Sequence, residues 1–326
     1  MESAKGLKKF FNQKMITLLV LLVIVVVTFS ILSGGIYLKI ANIRSILSLM
    51  AVTGLLTLGV GCLIISGNID LSTGANGTLC GVLMALFLRG GVPWPVTVIA
   101  CLVLGMLVGG FNALLVNVVG FQPFIATMAV ASVTQGLTYI FAGGQPTPVR
   151  DEIITYVGTG RIFDVIPVSI LILVAGFIIY GLMLSKSKFG RSIYMVGGNR
   201  QAARLSGLHP VKMSYILFIN CGMLSALAGM LLAARLKSGT VTGVASSQFA
   251  GITSAMLGGI SFGGGTGSFA GAFLGLLIIT GFNNGLTVLG VLSFWQTFAS
   301  GALLIFALTI DYLNEQRTLK KVAVGA

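Results

Sequence analysis

This chain lacks most of the side chains from which catalytic and metal centres are built. Only 8% of its 326 residues are charged, with 7 Asp and Glu residues and 1 histidine. It contains no HExxH motif and no paired carboxylates within one segment, and a single histidine leaves little scope for a Ser/His/Asp set. The 4 cysteines (Cys62, Cys80, Cys101 and Cys221) lie inside apolar segments without metal-ligand spacing, so we expect small buried hydrophobic side chains there rather than disulfides or zinc. The sequence therefore predicts a protein that is not an enzyme and that needs no cofactor.

The chain is instead rich in apolar residues and in glycine. Its mean hydropathy is +1.03, 56% of its residues are hydrophobic and 45 are glycine. This composition predicts a polytopic membrane protein. The formal net charge of +13 comes from basic residues beside the apolar runs. Such residues orient a membrane protein and contact anionic lipid, so we expect membrane lipid, and no nucleic acid, as a partner.

Ten apolar runs are candidates for membrane spans. The first run follows a basic segment, but it is long enough to span and no clear cleavage site follows it. We therefore interpret it as a retained helix rather than a signal peptide. One run, 248–261, is short enough to be re-entrant. The runs lie near residues 15–34, 44–65, 72–89, 93–118, 122–142, 164–184, 213–234, 248–261, 266–289 and 295–312.

The positions of the basic residues test this count of spans. With ten spans, most of the 20 Lys and Arg residues lie on one side, in segment 1–14, loop 185–212 and tail 313–326. Positive charge favours the cytoplasmic side. The predicted fold class is an all-α polytopic membrane protein of about ten transmembrane helices, some broken or re-entrant, with both termini cytoplasmic. A single transmembrane domain at 15–312 would lie between the basic N-terminus 1–14 and the tail 313–326.

The basic loop 185–212 contains a candidate helix of its own. It carries six Lys and Arg residues and no acidic residue. Asn199 can cap the start of a helix, and Gly207 suits the left-handed position that ends one. A short, separately capped helix in a cytoplasmic loop has no transport chemistry of its own, so we interpret it as a segment that another protein holds. The residues between its caps include Gln201, Ala202, Ala203, Arg204, Leu205 and Ser206.

The motif Gly67-Asn68-Ile69-Asp70-Leu71-Ser72 interrupts two apolar runs. A charged side chain at the centre of a membrane helix costs roughly 3 kcal/mol on insertion scales, so an isolated carboxylate usually has a functional or capping reason. In one interpretation, Asp70 or Ser72 caps the free amides of the helix that follows. In the other, Asp70 lies in a permeation path or at a gate. Capping is the more frequent use, and a cap that lines a cavity could serve both roles.

The glycine-rich segment Gly263–Ser268 does not fit a phosphate-binding loop. Such a loop needs a lysine after its last glycine and a strand before it, and the chain has neither. We therefore expect no ATP bound to this chain. Glycines recur instead at four-residue spacing, as in Gly77/Gly81 and Gly105/Gly109, which lets helix backbones pack closely in lipid.

The polar residues inside the apolar runs are mostly neutral. Neutral side chains suit an uncharged sugar or polyol, and they also suit hydrogen bonds between helices, which is their more frequent use. Only Asp70 and Asp311 could serve ion coupling, so we expect another component to supply the energy. The neutral set comprises Asn112, Asn117, Thr127, Gln135, Asn220, Gln248, Asn283, Asn284 and Gln296.

Five spaced motifs carry a resemblance that covers nearly the whole chain. They are Ile64–Ser72, Pro123–Met128, Phe189–Gly207, Leu257–Gly267 and Asn283–Trp295. In this order they resemble the membrane permease subunits of bacterial ATP-binding-cassette importers for ribose, xylose, galactose and related small molecules. The resemblance implies that the helix within 199–207 docks into a cleft of an ATPase subunit. Gln201 stands where the family commonly has Glu, so a salt bridge at that position is not expected.

The resemblance also implies the partners and the location. Two permease chains, identical or paralogous, would form the pore in a bacterial cytoplasmic (inner) membrane. Two cytoplasmic ATPase subunits would drive it, and an external solute-binding protein would deliver a small neutral solute such as a monosaccharide. We expect Asn68, Asp70, Ser72 and Thr127 to border the path. Three alternatives stay open: a furanosyl signalling molecule or polyol as cargo of the same importer class, a stand-alone ion-coupled carrier or channel, and a membrane-embedded enzyme.

Overall fold

The structure, a computed structural model, describes residues 2–163, 166–292, 294–306 and 309, with the backbone alone for residues 2–14. Nearly all of the regular structure in these ranges is helical. The α-helices are α1 (Glu2–Leu32), α2 (Ile40–Ile65), α3 (Thr73–Arg89), α4 (Trp94–Leu114), α5 (Pro123–Ala142), α6 (Glu152–Thr159), α7 (Val168–Lys186), α8 (Lys188–Gly198), α9 (Arg200–Leu205), α10 (Pro210–Leu236), α11 (Gln248–Leu257), α12 (Phe269–Val288) and α13 (Phe294–Phe306).

Short elements connect these helices. A π-helical turn, Leu115–Val119, extends α4, and two 3₁₀ turns lie at Ile36–Leu38 and Gly243–Ser247. Two antiparallel pairs of two-residue strands complete the described part. They join β1 (Thr147–Pro148) with β4 (Ser238–Gly239), and β2 (Arg161–Ile162) with β3 (Ile166–Pro167).

Seven helices of the described ranges are long and apolar enough to cross a membrane. They are α1 over Met15–Leu32, α2, α4 with its π-helical turn, α5, α7, α10 and α12, and each lies within a few residues of a predicted run. The runs 72–89 and 248–261 correspond to the shorter helices α3 and α11. The mainly helical fold with several candidate membrane spans is therefore confirmed, whereas ten spans, broken or re-entrant spans, the side of each terminus and the boundaries of the domain at 15–312 stay predictions. The end of the last run and the tail 313–326 lie outside the described residues.

Helices α2 and α10 form the centre of the fold. Every residue from Met50 to Ile65 of α2 is buried, and this helix packs against α7, α10, α11 and α12. A helix that is apolar on all sides can be surrounded by protein or by lipid. Close contact is what distinguishes α2, because a Cβ atom on Gly54 would lie 2.2 Å from Cδ1 of Leu173 in α7.

Glycine allows α10 to contact α3 and α4 closely. A Cβ atom on Gly229 of α10 would lie 1.7 Å from the carbonyl oxygen of Gly77 in α3. A Cβ atom on Gly222 would lie 2.2 Å from the carbonyl oxygen of Gly105 in α4. Both distances are far inside van der Waals contact, so only glycine fits. The predicted role of the four-residue glycine spacing is confirmed at Gly77 and Gly105.

The outer face of the bundle is apolar. Large aliphatic side chains there are more than half exposed, including Ile31 on α1 (73%), Ile99 on α4 (62%), Ile140 on α5 (73%) and Ile179 on α7 (62%). A soluble protein rarely exposes so continuous an apolar surface. Lipid is the solvent that suits this face.

Candidate translocation and coupling site

The connection between α2 and α3 is a buried break between two helices of the bundle. Gly67 follows the end of α2 with a φ of 80°, a left-handed conformation that glycine adopts without steric cost. Residues 68 and 70–72 of this connection are buried. Irregular backbone at membrane depth must find its hydrogen bonds within the protein. The side chains around residues 66–72 therefore decide whether this break is stable.

The Asp70 carboxylate is surrounded by neutral hydrogen-bond donors. Its Oδ1 accepts from the amide nitrogen of Ser72 at 2.7 Å and from the Ser72 hydroxyl at 2.6 Å. Asn112 of α4 places its Nδ2 at 3.3 Å from each carboxylate oxygen and at 2.7 Å from Ser72 Oγ. The three side chains are at most 1% exposed. The described hydrogen-bond partners of Asp70 thus stabilise a buried carboxylate without a cation.

Two further side chains satisfy backbone amides at the start of α3. Thr127 of α5 accepts from the Leu71 amide at 3.0 Å, and Gln248 of α11 accepts from the Gly74 amide at 2.9 Å. Ser72 occupies the N-cap position of α3, but its hydroxyl forms no capping hydrogen bond there. The amide that Asp70 satisfies belongs to Ser72, the residue before α3, so neither Asp70 nor Ser72 caps the first amides of this helix, and the capping interpretation is wrong in that form.

The structure brings together three of the four predicted path residues. We call Asp70, Ser72, Thr127 and Asn112 the Asp70 cluster. The described side-chain hydrogen bond of Asn68 goes instead to the Ser66 hydroxyl, at 3.2 Å. All four members of the cluster are at most 1% exposed. In this conformation they contact other protein groups, and a solute could reach them only after a movement of the helices.

Sequence reasoning missed the contributions of Asn112 and Gln248 to this site. Both residues belonged to the neutral polar set, but their spacing along the chain does not relate them to Asp70 or to Gly74. Asn112 Oδ1 has no hydrogen-bond partner in the described structure although it is buried. That acceptor is available to a donor that a different arrangement of the helices brings near.

The predicted short helix is present as α9 in the basic loop. The Asn199 side chain accepts from the amides of Gln201 at 3.0 Å and Ala202 at 2.9 Å, as expected of an N-cap. Gly207 ends the segment with a φ of 81°. The Leu205 side chain is 90% exposed. Of the remaining predicted residues, Ala203 is buried, whereas Gln201, Ala202, Arg204 and Ser206 are exposed.

A second helix of the loop, α8, anchors α9 to the centre of the fold. A Cβ atom on Gly197 would lie 1.8 Å from the carbonyl oxygen of Ile65, the last residue of α2. The same carbonyl accepts from the Gly265 amide at 2.8 Å, and the Tyr194 hydroxyl donates to the Gly267 carbonyl at 2.8 Å. Burial raises the pKa of Tyr194, so its hydroxyl stays a neutral donor. The base of α9 is thus held against the residue that begins the buried break.

The opposite end of the bundle carries a concave, charged surface. A concavity of about 650 Å³ is lined by Arg89, Pro93, Arg150 and Asp151 among other residues. Asp151 accepts from the Ile154 amide at 2.9 Å and so caps α6. Arg150 and Asp151 come from the segment between α5 and α7, whereas Arg89 is the last residue of α3 and Pro93 lies in the connection between α3 and α4.

The described residues offer no group of three or more His, Cys, Asp or Glu side chains that could hold a metal ion. The four cysteines are free and buried, as expected for small hydrophobic side chains. With its apolar outer face and seven described helices long and apolar enough to cross a membrane, the molecule has the features of a multi-pass membrane protein.

Comparison with known proteins gives the family. Residues 42–308 match a family model described as "Branched-chain amino acid transport system / permease component". The chain is 36% identical over 298 residues to the ribose import permease protein of Bacillus subtilis (strain 168), covering 89% of this chain and 90% of the relative. It is 30% identical over 371 residues to the xylose transport system permease protein of Haemophilus influenzae, covering 95% of this chain and 99% of the relative.

A third relative agrees with these two. The galactose/methyl galactoside import permease protein of Haemophilus influenzae is 31% identical over 297 residues, covering 85% of this chain and 88% of the relative. The chain therefore belongs to this family of permeases of ATP-binding-cassette importers, and it is a transport component rather than an enzyme. The resemblance that the five motifs indicated is confirmed. No solved structure matches the chain.

Proposed function

We propose that this chain is the permease subunit of an ATP-driven importer that carries a small neutral solute, a monosaccharide, across the cytoplasmic (inner) membrane of a bacterium. The observation that carries this proposal is α9, a separately capped helix whose Leu205 side chain is 90% exposed. The exposed leucine leaves apolar surface in contact with water. Burial of that surface in a cleft of an ATPase subunit would stabilise the complex.

The proposed cargo follows from the chemistry of the site and of the relatives. The relatives are named for ribose, xylose and galactose, all neutral sugars. The Asp70 cluster contains one carboxylate, and its other members are hydroxyl and amide side chains. We place the path beside Asn68, Asp70, Ser72 and Thr127, which border the break between α2 and α3. A polyol or a furanosyl signalling molecule would be handled by the same side chains.

The proposed topology has ten spans and both termini in the cytoplasm. Seven helices are long enough to span, and α3, α11 and α13 would complete the count as shorter segments. This arrangement places the basic loop with α8 and α9 on the cytoplasmic side. The concavity lined by Arg89, Arg150 and Asp151 then faces outward, where we propose that an external solute-binding protein docks.

The proposed assembly contains two permease chains and two ATPase subunits. A pull-down from native membranes in mild detergent tests it, using Leu205→Asp beside the intact chain. We expect an ATPase subunit to be recovered with the intact chain and to be lost with the variant, because the charge would face an apolar cleft. Phe163→Asp is the matched control, because Phe163 is also 90% exposed but lies in the segment between α5 and α7, which the proposed topology puts outside the cell.

Two other outcomes would contradict parts of this proposal. If the folded, intact chain recovers no ATPase, and ion-driven sugar uptake occurs in liposomes that contain this chain alone, the protein is a carrier rather than an importer subunit. Equal loss of the ATPase from Leu205→Asp and Phe163→Asp would mean that α9 is not the docking element.

A further inference from the structure

The π-helical end of α4 lies between the helix α9 and the Asp70 cluster. In this turn, Leu115–Val119, the amide of Gly120 donates to the carbonyl of Leu115, a spacing of five residues. Gly120 then ends the helix with a φ of 85°. π-helical turns are rare and are frequently found at functional sites. Such a turn can change its hydrogen-bond register without unfolding the rest of the helix.

Asn117, in the middle of this turn, connects three helices. Its Oδ1 accepts from the guanidinium of Arg200, the first residue of α9, at 3.2 Å. Its Nδ2 donates to the Ser214 hydroxyl of α10 at 2.9 Å and to the Ala113 carbonyl of α4 at 2.7 Å. These bonds use the carbonyl and the amide of one side chain at the same time. A displacement of α9 therefore cannot leave all three bonds of Asn117 unchanged.

The residue next to Ala113 is Asn112, the member of the Asp70 cluster that α4 contributes. Asn117 follows Asn112 by five positions, which corresponds to about 7.5 Å along the helix axis. Asn112 holds both the Asp70 carboxylate and the Ser72 hydroxyl, and its own Oδ1 lacks a described partner. A rotation of the end of α4 would move the Asn112 amide relative to Asp70. The cluster thus has an unused acceptor with which it could form a second arrangement.

We propose that Asn117 is a positioning residue that transmits the movement of α9 to the Asp70 cluster through the π-helical end of α4. The inference rests on the proposed function, because an ATPase must move α9. The proposed link through Asn117 differs from the contact between Gly197 and Ile65, which joins α8 to the buried break at the end of α2. Asn117 reaches the same break from α4, so that the two ends of the connection are linked to α9 by different routes.

The test uses the complete importer in proteoliposomes, with its ATPase, second permease chain and binding protein. ATP hydrolysis and uptake of D-ribose, D-xylose or D-galactose are measured in the same sample. For Asn117→Leu we expect undiminished recovery of the ATPase, undiminished ATP hydrolysis, and about a tenfold fall in sugar imported per ATP hydrolysed. A merely structural role would lower assembly, hydrolysis and uptake together.

The matched control is Asn220→Leu, which makes the same chemical change on α10. Asn220 accepts from the Tyr180 hydroxyl and makes no described contact with Asn117 or with α9. We expect its ratio of sugar to ATP to equal that of the intact chain. An unchanged ratio in a well-assembled Asn117→Leu importer would overturn the inference, as would equal falls in the two variants.

A double-variant cycle tests the link between α9 and α4. Arg200→Met should lower the sugar imported per ATP. The double variant should import as much sugar per ATP as Asn117→Leu alone, because both substitutions interrupt the same link between α9 and α4. Lys188→Met controls for the loss of a basic side chain from the same loop. Multiplicative losses in the double variant would contradict a shared relay. If the intact importer takes up none of the sugars with ATP, the proposed function fails and this inference falls with it.

Discussion

At the scale of single residues, Asp70 is the one deeply buried carboxylate among the described side chains, and it lies among neutral donors. Asp70 accepts hydrogen bonds from Ser72 and Asn112 and has no cationic partner in the described ranges. Hydrogen bonds to a charged group are stronger than neutral ones, and a buried polar group that loses its partner costs about 1–3 kcal/mol. Stability and any gating role of Asp70 are therefore linked through the same contacts.

Removal of the Asp70 carboxylate should be strongly destabilising. Asp70→Ala leaves the Ser72 amide and the Ser72 hydroxyl buried without their acceptor, whereas Asn112 keeps its bond to Ser72 Oγ, so we expect a loss of about 2–4 kcal/mol of stability. Asp151→Ala removes a carboxylate that caps the peripheral helix α6 and should cost only about 1 kcal/mol. Thermal unfolding in detergent compares the two variants. An Asp70→Ala chain as stable as Asp151→Ala, yet inactive in transport, would instead indicate that Asp70 contacts the solute.

The sequence predicted the residue types of this cluster better than their pairing. Asp70 and Ser72 stood out because a polar motif interrupted two apolar runs, and Thr127 belonged to the neutral set. The partnership of Asp70 with Asn112 crosses 42 residues. It depends on how α4 packs beside the break, and no local pattern encodes that packing. A single sequence can reveal a buried polar residue, but the identity of its partner is a tertiary property.

At the scale of elements, helix ends were easiest to predict where capping residues mark them. Asn199 and Gly207 indicated α9 correctly. Helix α8 went unpredicted although Ser187 caps it by accepting from the Gly190 amide at 2.9 Å. Its glycines at 190, 197 and 198 are poor helix formers. They are tolerated because Gly190 and Gly197 pack against backbone, so tertiary contact overrides propensity.

The glycine contacts between helices give a prediction at this scale. Gly229→Ala would force α10 away from α3, because its Cβ atom would lie 1.7 Å from the Gly77 carbonyl oxygen. Overpacking of this kind costs about 1–3 kcal/mol or more, so the thermal midpoint and the yield of folded protein should fall. Gly181→Ala on α7 is the matched control, since no atom lies within 4 Å of its Cβ position. That variant should gain up to about 1 kcal/mol from helix propensity. Equal stability of the two variants would contradict close packing between α3 and α10.

At the scale of the whole molecule, the distribution of charge decides the orientation. The loop with α8 and α9 carries basic residues without acidic ones, whereas the segment between α5 and α7 carries Arg150, Asp151 and Glu152. Lys and Arg in short loops favour the cytoplasmic side, and acidic residues contribute little to orientation. Seven long helices alone would place the chain ends on opposite sides, so the shorter helices determine the topology. Whether α3, α11 and α13 act as spans is therefore the property that fixes the side of each loop.

Labelling of single cysteines in spheroplasts measures this orientation directly. We expect Arg150→Cys to react with a membrane-impermeant maleimide from outside, and Lys188→Cys to react only after the membrane is permeabilised. The four native cysteines are buried and should give little background, because thiols react as exposed thiolates. Labelling of Lys188→Cys in sealed spheroplasts would place α8 and α9 outside, away from any ATPase. That result would exclude the docking role of α9, since an ATP-hydrolysing subunit acts only where cellular ATP is present.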